Sequence, residues 1–210
     1  MKTILMTLPI FLLSFLLSAQ TPYDTGMQKA YDLYSSGKMD EAANLFERIG
    51  SAEQDEWLPY YYVAHVIILK SWNTKDEKLL KAQLDKAQEF INLAQTYSPE
   101  NPEIMVLQAY LHTNWVAFDG QKYAMTLGPK VSAIYEKALK IAPDNPRVNF
   151  AKTEWDMGTA RYFGKDLSPY CHDLEKAVKL FDTFTAEEKF YPSWGKDRAE
   201  QVASSCKVSK

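Results

Sequence analysis

A chain of 210 residues has the length of one domain or two small ones. Its 46% hydrophobic and 24% charged residues are those of a folded globule and exclude a wholly disordered chain. With 24 Lys and Arg against 27 Asp and Glu, the formal charge of −3 leaves no basic excess to neutralise phosphates, which argues against general nucleic-acid binding.

The chain opens on an address. Lys2 is the only charge before Asp24, and Ile4 to Leu17 is almost uninterrupted apolar sequence. As a helix that run rises about 21 Å, short of a hydrocarbon core of roughly 30 Å. Ser18 and Ala19 follow as small residues suited to cleavage. This pattern predicts a secretory signal peptide over residues 1–19, the alternative being an N-terminal membrane anchor. No Cys stands near the cut, so nothing points to a lipid anchor. No later stretch is apolar enough for a membrane span, so the mature chain, 20–210, is expected to be exported, periplasmic or secreted.

Apolar residues then recur at spacings of three and four, the period of a helix. Met27, Ala30, Tyr31 and Tyr34 form one stripe, and Ala42, Leu45, Phe46 and Ile49 the next, with a helix stop at Ser35-Ser36-Gly37-Lys38 between them. Leu58 to Trp72 is apolar all round and predicts a central helix. Further helices are expected over Thr74–Tyr97, Pro102–Phe118, Pro129–Ile141, Pro146–Phe163, Pro169–Phe184 and about Ser193–Cys206. Pro at the first position of four of them costs no hydrogen bond. Nothing alternates with period two over the length of a strand, so the fold class is all-α.

Tyr97-Ser98-Pro99-Glu100-Asn101-Pro102 recurs as Ile141-Ala142-Pro143-Asp144-Asn145-Pro146, each after an amphipathic helix. Repetition on this scale points to stacked helix hairpins. The residues Ala30, Gly37, Ala42 and Phe46 carry the spacing of one such hairpin. Later positions in the same roles are Ala64, Ala87, Ile91, Ala94 and Pro99, then Ala109, Val131, Tyr135, Ala138 and Pro143, then Thr153, Ala177, Phe181 and Phe184. On these residues the chain resembles the tetratricopeptide repeat (TPR) family, with units at about 23–50, 57–99, 102–143 and 146–184. Only the first unit keeps the family's spacing. In the others the interval between the paired helices is longer, so the repeats are degenerate. The resemblance implies a right-handed solenoid of antiparallel hairpins, and the last predicted helix, 193–206, reads as its cap.

Cys171 opens one predicted helix and Cys206 closes the next, equidistant from a turn near Glu188 and Lys189. Antiparallel packing would bring them side by side, and export would oxidise them to a disulfide. Two free thiols or a thiol catalyst are the alternatives, and no Cys-x-x-Cys is present.

Motifs for chemistry are scarce. His65, His112 and His172 fall at no metal-ligand spacing, and no phosphate loop, dinucleotide fingerprint or nucleophile elbow occurs, so no metal, cofactor or catalytic residue is assigned. The densest polar-aromatic stretch is Glu154 to Asp166. Its Glu154 and Arg161 read either as a buried pair joining two helices or as part of a site, with Gly158 allowing close approach. A hydrolase-type activity stays the least supported class.

The TPR resemblance implies a groove lined by the first helix of each pair. By register that groove takes Met27, Tyr31 and Tyr34, then Tyr61 and His65, then Tyr110 and Asn114, then Arg147, Phe150 and Glu154. Large amphipathic rings with a few polar groups suit binding. Lys is missing from these positions, which argues against a clamp for a C-terminal carboxylate. The expected function is protein–protein interaction through a Tyr-rich groove, with a protein or peptide partner. The alternative is a small-ligand or glycan-binding protein using the same aromatic surface.

Overall fold

The computed structural model describes residues 21–53 and 55–208. The expected signal peptide, 1–19, lies outside them. Nine α-helices run through the described residues: α1 (Pro22–Ser35), α2 (Met39–Ala52), α3 (Leu58–Ser71), α4 (Glu77–Tyr97), α5 (Pro102–Phe118), α6 (Gly120–Ile141), α7 (Pro146–Tyr162), α8 (Cys171–Thr183) and α9 (Lys196–Val208). The expected all-α class is what the structure shows.

Side-chain caps set most of the starts. Asp76, Asp119 and Asn145 each accept a hydrogen bond from the backbone N–H three residues on, and Asn101 from that of Glu103. The repeated Asn-Pro signal has one geometry at both copies: Asn101 sits at φ −67°, ψ 122° and Asn145 at φ −70°, ψ 120°, each followed by Pro as the first helical residue. Gly37, at φ 79°, closes α1 in the left-handed region that favours glycine.

Helices pack as consecutive pairs, α1 with α2, α3 with α4, α5 with α6 and α7 with α8, and α9 lies against α8. Ala30, Ala42, Ala64, Ala87, Ala94, Ala109, Ala138 and Ala177 are all fully buried, because small residues let paired helices approach closely. The extra length of the second and third pairs is helix, not loop. α4 and α6 run 21 and 22 residues against 14 for α2, and the additional turns precede Ala87 and Val131.

Several boundaries differ from expectation, α4 beginning at Glu77 and not at Thr74. α6 begins at Gly120, not at Pro129, which lies inside it. The Asp119 cap starts the helix earlier, and Met125, whose carbonyl loses its partner to the proline, is exposed to water. Pro169 belongs to a short 3-10 turn, Ser168–Tyr170, ahead of α8. The last helix starts at Lys196, so residues 184–195 are a non-helical link with a turn at 189–190.

α3 is buried along nearly its whole length, as its apolar sequence requires. The largest core cluster joins α1–α5 around Met27, Phe46, Tyr61, Leu84 and Ile91. A second holds Val106, Val131, Tyr135 and Val148, and a third seats Ala199 and Ala203 of α9 on Phe150, Leu174 and Ala177. Cys171 and Cys206 form a disulfide across α8 and α9, with their Cα atoms 5.7 Å apart.

Candidate functional site

α1, α3, α5 and α7 share one face, and the link 184–195 crosses it. Lys189 pairs with Asp24 of α1 at 3.0 Å, and Ser193 hydrogen-bonds Tyr31. On α3, Trp57 donates to Glu188 at 2.8 Å, Tyr62 donates to the Phe190 carbonyl at 2.8 Å, and Tyr61 accepts from the Trp194 indole at 2.9 Å. On α7, the Arg147 guanidinium lies over the rings of Phe184 and Tyr191, at 4.8 and 5.6 Å. Gly195 turns the chain into α9 at φ 104°, a conformation L side chains rarely adopt.

The link and the packing between helices together set where the expected groove residues stand. Met27, Tyr61, His65, Asn114, Arg147 and Phe150 are buried, at 2% exposure or less. Tyr31, Tyr34, Tyr110 and Glu154 are half-buried. Asn114 donates to the Ser71 hydroxyl and the Ile68 carbonyl, tying α5 to α3. Arg147 donates to Glu103 at 2.7 Å with both side chains fully buried, and Asn145 donates to the other Glu103 oxygen at 2.6 Å. Burial opposes the charge on Arg147, yet the charge and hydrogen bond of Glu103 raise its pKa above the ordinary value.

What remains open is a row of rings. Tyr31 meets Tyr34 at 6.0 Å between centroids, Tyr34 meets His65 at 6.0 Å, and His65 stacks on Trp194 at 4.6 Å. Trp194 meets Tyr110 at 5.9 Å, and Tyr110 meets Trp72 at 6.5 Å. All but His65 reach the surface, Trp72 with 36% of its area. Of the expected groove residues the row holds Tyr31, Tyr34, His65 and Tyr110, joined by Trp72, just past the end of α3, and Trp194, expected in the cap. Phe190, Tyr191 and Trp194 make the link too aromatic for a solvated turn, which is the signal that was there to read.

The row offers stacking faces and little acid–base chemistry. Burial pushes the Tyr34 hydroxyl up to about 12 and raises Tyr110 and Tyr61 further, so these phenols stay neutral. Burial, with the nearby Arg147 charge, drops His65 to about 3, so its ring is neutral too. Its Nε2 has no hydrogen-bond partner among the described residues. Among the described residues, no group of three His, Cys, Asp or Glu is placed to hold a metal ion.

The Glu154–Asp166 stretch does not form the expected buried Glu154–Arg161 pair. Arg161 is exposed and does not pair with Glu154, which instead accepts from Arg198 of α9 at 3.1 Å. Gly158 is exposed, with nothing within 4 Å of a Cβ placed there, so it permits no close packing. Glu154, Arg161, Arg198 and Gln201, with Met157, Val202 and Ser205, line a cavity of about 230 Å³ between α7 and α9.

No protein-family profile matches the sequence, and comparison with curated proteins finds no match. Among solved structures the chain is similar to the HusA haemophore from Porphyromonas gingivalis, at 24% identity and a TM-score of 0.78, over 91% of this chain and 96% of that one. It is also similar to a thermophilic TPR protein in Thermus thermophilus, at 12% identity and a TM-score of 0.59, over 91% and 84% of the two chains. At these identities the likeness establishes a helical fold of TPR type.

Proposed function

We propose that the chain is an exported, non-enzymatic carrier that binds a flat, largely apolar ligand of the haem class on its aromatic row. The row itself carries the reading. Six rings in sequential contact, five of them at the surface, give a broad stacking face at low entropic cost. The whole-length likeness to a protein described as a haemophore supports the ligand class. The disulfide and the N-terminal apolar run support export.

The test is a titration of the purified protein with haemin, followed by the porphyrin absorption band and by Trp fluorescence. Saturable binding is expected. Tyr34→Ala with Tyr110→Ala should weaken it at least about tenfold while helicity stays unchanged. Absence of a saturable change in the native protein would overturn the reading.

A protein partner on the same face is the second reading. It is favoured by one observation: a non-helical stretch of polypeptide, the chain's own 184–195, already lies across α1, α3, α5 and α7. A labelled peptide of that sequence should bind a Tyr191→Ala/Trp194→Ala variant, whose face is loosened. Binding to neither variant nor native protein would remove this reading.

A further inference from the structure

We infer that the cleft between α7 and α9 is a carboxylate-binding subsite beside the aromatic row, with Arg161 and Arg198 as its anchors. The inference rests on the ligand reading above and narrows it to flat ligands that carry an acidic side arm.

Position comes first. Arg198 lies in the first turn of α9, four residues after Trp194. Tyr110 and Trp194 pack on the same core cluster as Val148, Ala151 and Trp155 of α7, so both rings lie against the helix that carries Glu154 and Arg161. A ligand stacked on those two rings has its edge at the cleft.

Charge comes second. Two guanidiniums face one carboxylate. Arg198 is engaged through Nε with Glu154 and through Nη1 with Gln201 at 3.3 Å. Arg161 forms no ion pair among the described residues. Among the described residues the cleft thus carries one more guanidinium than carboxylate, and Arg presents a planar fork suited to a carboxylate.

Size comes third. About 230 Å³ is below the volume of a pocket for a whole drug-sized ligand and fits a short acidic arm. Met157 and Val202 in its lining accept the methylene groups of such an arm.

The experiment compares protoporphyrin IX with its dimethyl ester, titrated into the native protein and into an Arg161→Gln/Arg198→Gln variant. Both arginines are exposed, so folding should survive, and circular dichroism checks it. The native protein should prefer the free acid by roughly tenfold, the value of one charge-assisted contact. The variant should bind acid and ester alike, near the native affinity for the ester. An Arg161→Lys/Arg198→Lys variant should keep part of the preference. Equal binding of acid and ester by the native protein would overturn the subsite and leave the aromatic row standing. Binding of neither porphyrin would overturn both.

Discussion

Trp194 donates its indole N–H to the hydroxyl of Tyr61 over 2.9 Å, a contact between residues 133 positions apart in the chain. It fastens the link between α8 and α9 to the central helix α3. The same indole stacks on His65, so one residue serves as anchor of the link and as a rung of the aromatic row.

Trp194→Ala should therefore destabilise the fold by about 2–3 kcal/mol, somewhat under the cost for a fully buried Trp because this one is half-buried. Trp194→Phe keeps the stack and loses the hydrogen bond, at about 1 kcal/mol. Urea titration of both variants measures the two costs. Equal losses would show that the Tyr61 bond, and not the ring, holds the link.

Glu103 and Arg147 set a second test. Their side chains are 0% and 1% exposed, and each lies in a different helix pair. Removing one partner strands a buried charge, so Glu103→Leu and Arg147→Met should each cost about 3–5 kcal/mol. The double variant should cost clearly less than the sum, because neither charge is left alone. A double-mutant cycle by chemical denaturation measures the coupling, and additive losses would contradict the pairing.

His65 gives a pH signature. Burial lowers its pKa from 6.5 to about 3, so the folded protein keeps the ring neutral where the unfolded chain takes up a proton. The unfolded state then binds more protons, and stability falls as pH drops from about 6.5 towards 3. The slope from this one group approaches about 1.4 kcal/mol per pH unit. His65→Phe should remove that part of the slope between about pH 6 and pH 4. An unchanged slope would place the ring in contact with water.

The Cys171–Cys206 bridge closes a loop over a sequence separation of 35 residues. In the chain-entropy model, reduction or Cys171→Ser should cost about 3–4 kcal/mol. Because α9 buries little beyond Ala199 and Ala203, hydrogen exchange in the reduced protein should rise first in α9 and in the link. A rise of equal size throughout the chain would show that the bridge does not act by holding α9 in place.

Local sequence determined the helices. Apolar spacing fixed their faces, Asn-Pro and Asp caps fixed their starts, and burial of Ala30, Ala42, Ala64, Ala87, Ala109 and Ala138 followed from their place on the apolar stripe, while Ala82 and Ala133 off it are exposed. The cysteine pairing was legible because two antiparallel helices about one turn leave little choice. Where a local signal had two meanings it misled: Pro129 reads as a helix start until the Asp119 cap is seen to begin the helix earlier. The tertiary structure alone decided what the shared face presents. The link 184–195 contributes no periodicity, and its hold on Asp24, Tyr31, Tyr61, Tyr62 and Arg147 comes from contacts far apart in sequence. Those contacts cover Tyr61 and Arg147 and bring Trp194 into the row, the packing of α5 on α3 brings Trp72 to Tyr110, and α9 hands Arg198 to Glu154 in place of Arg161. Spacing along a helix tells which side a residue faces, while only the folded chain tells what arrives there to meet it.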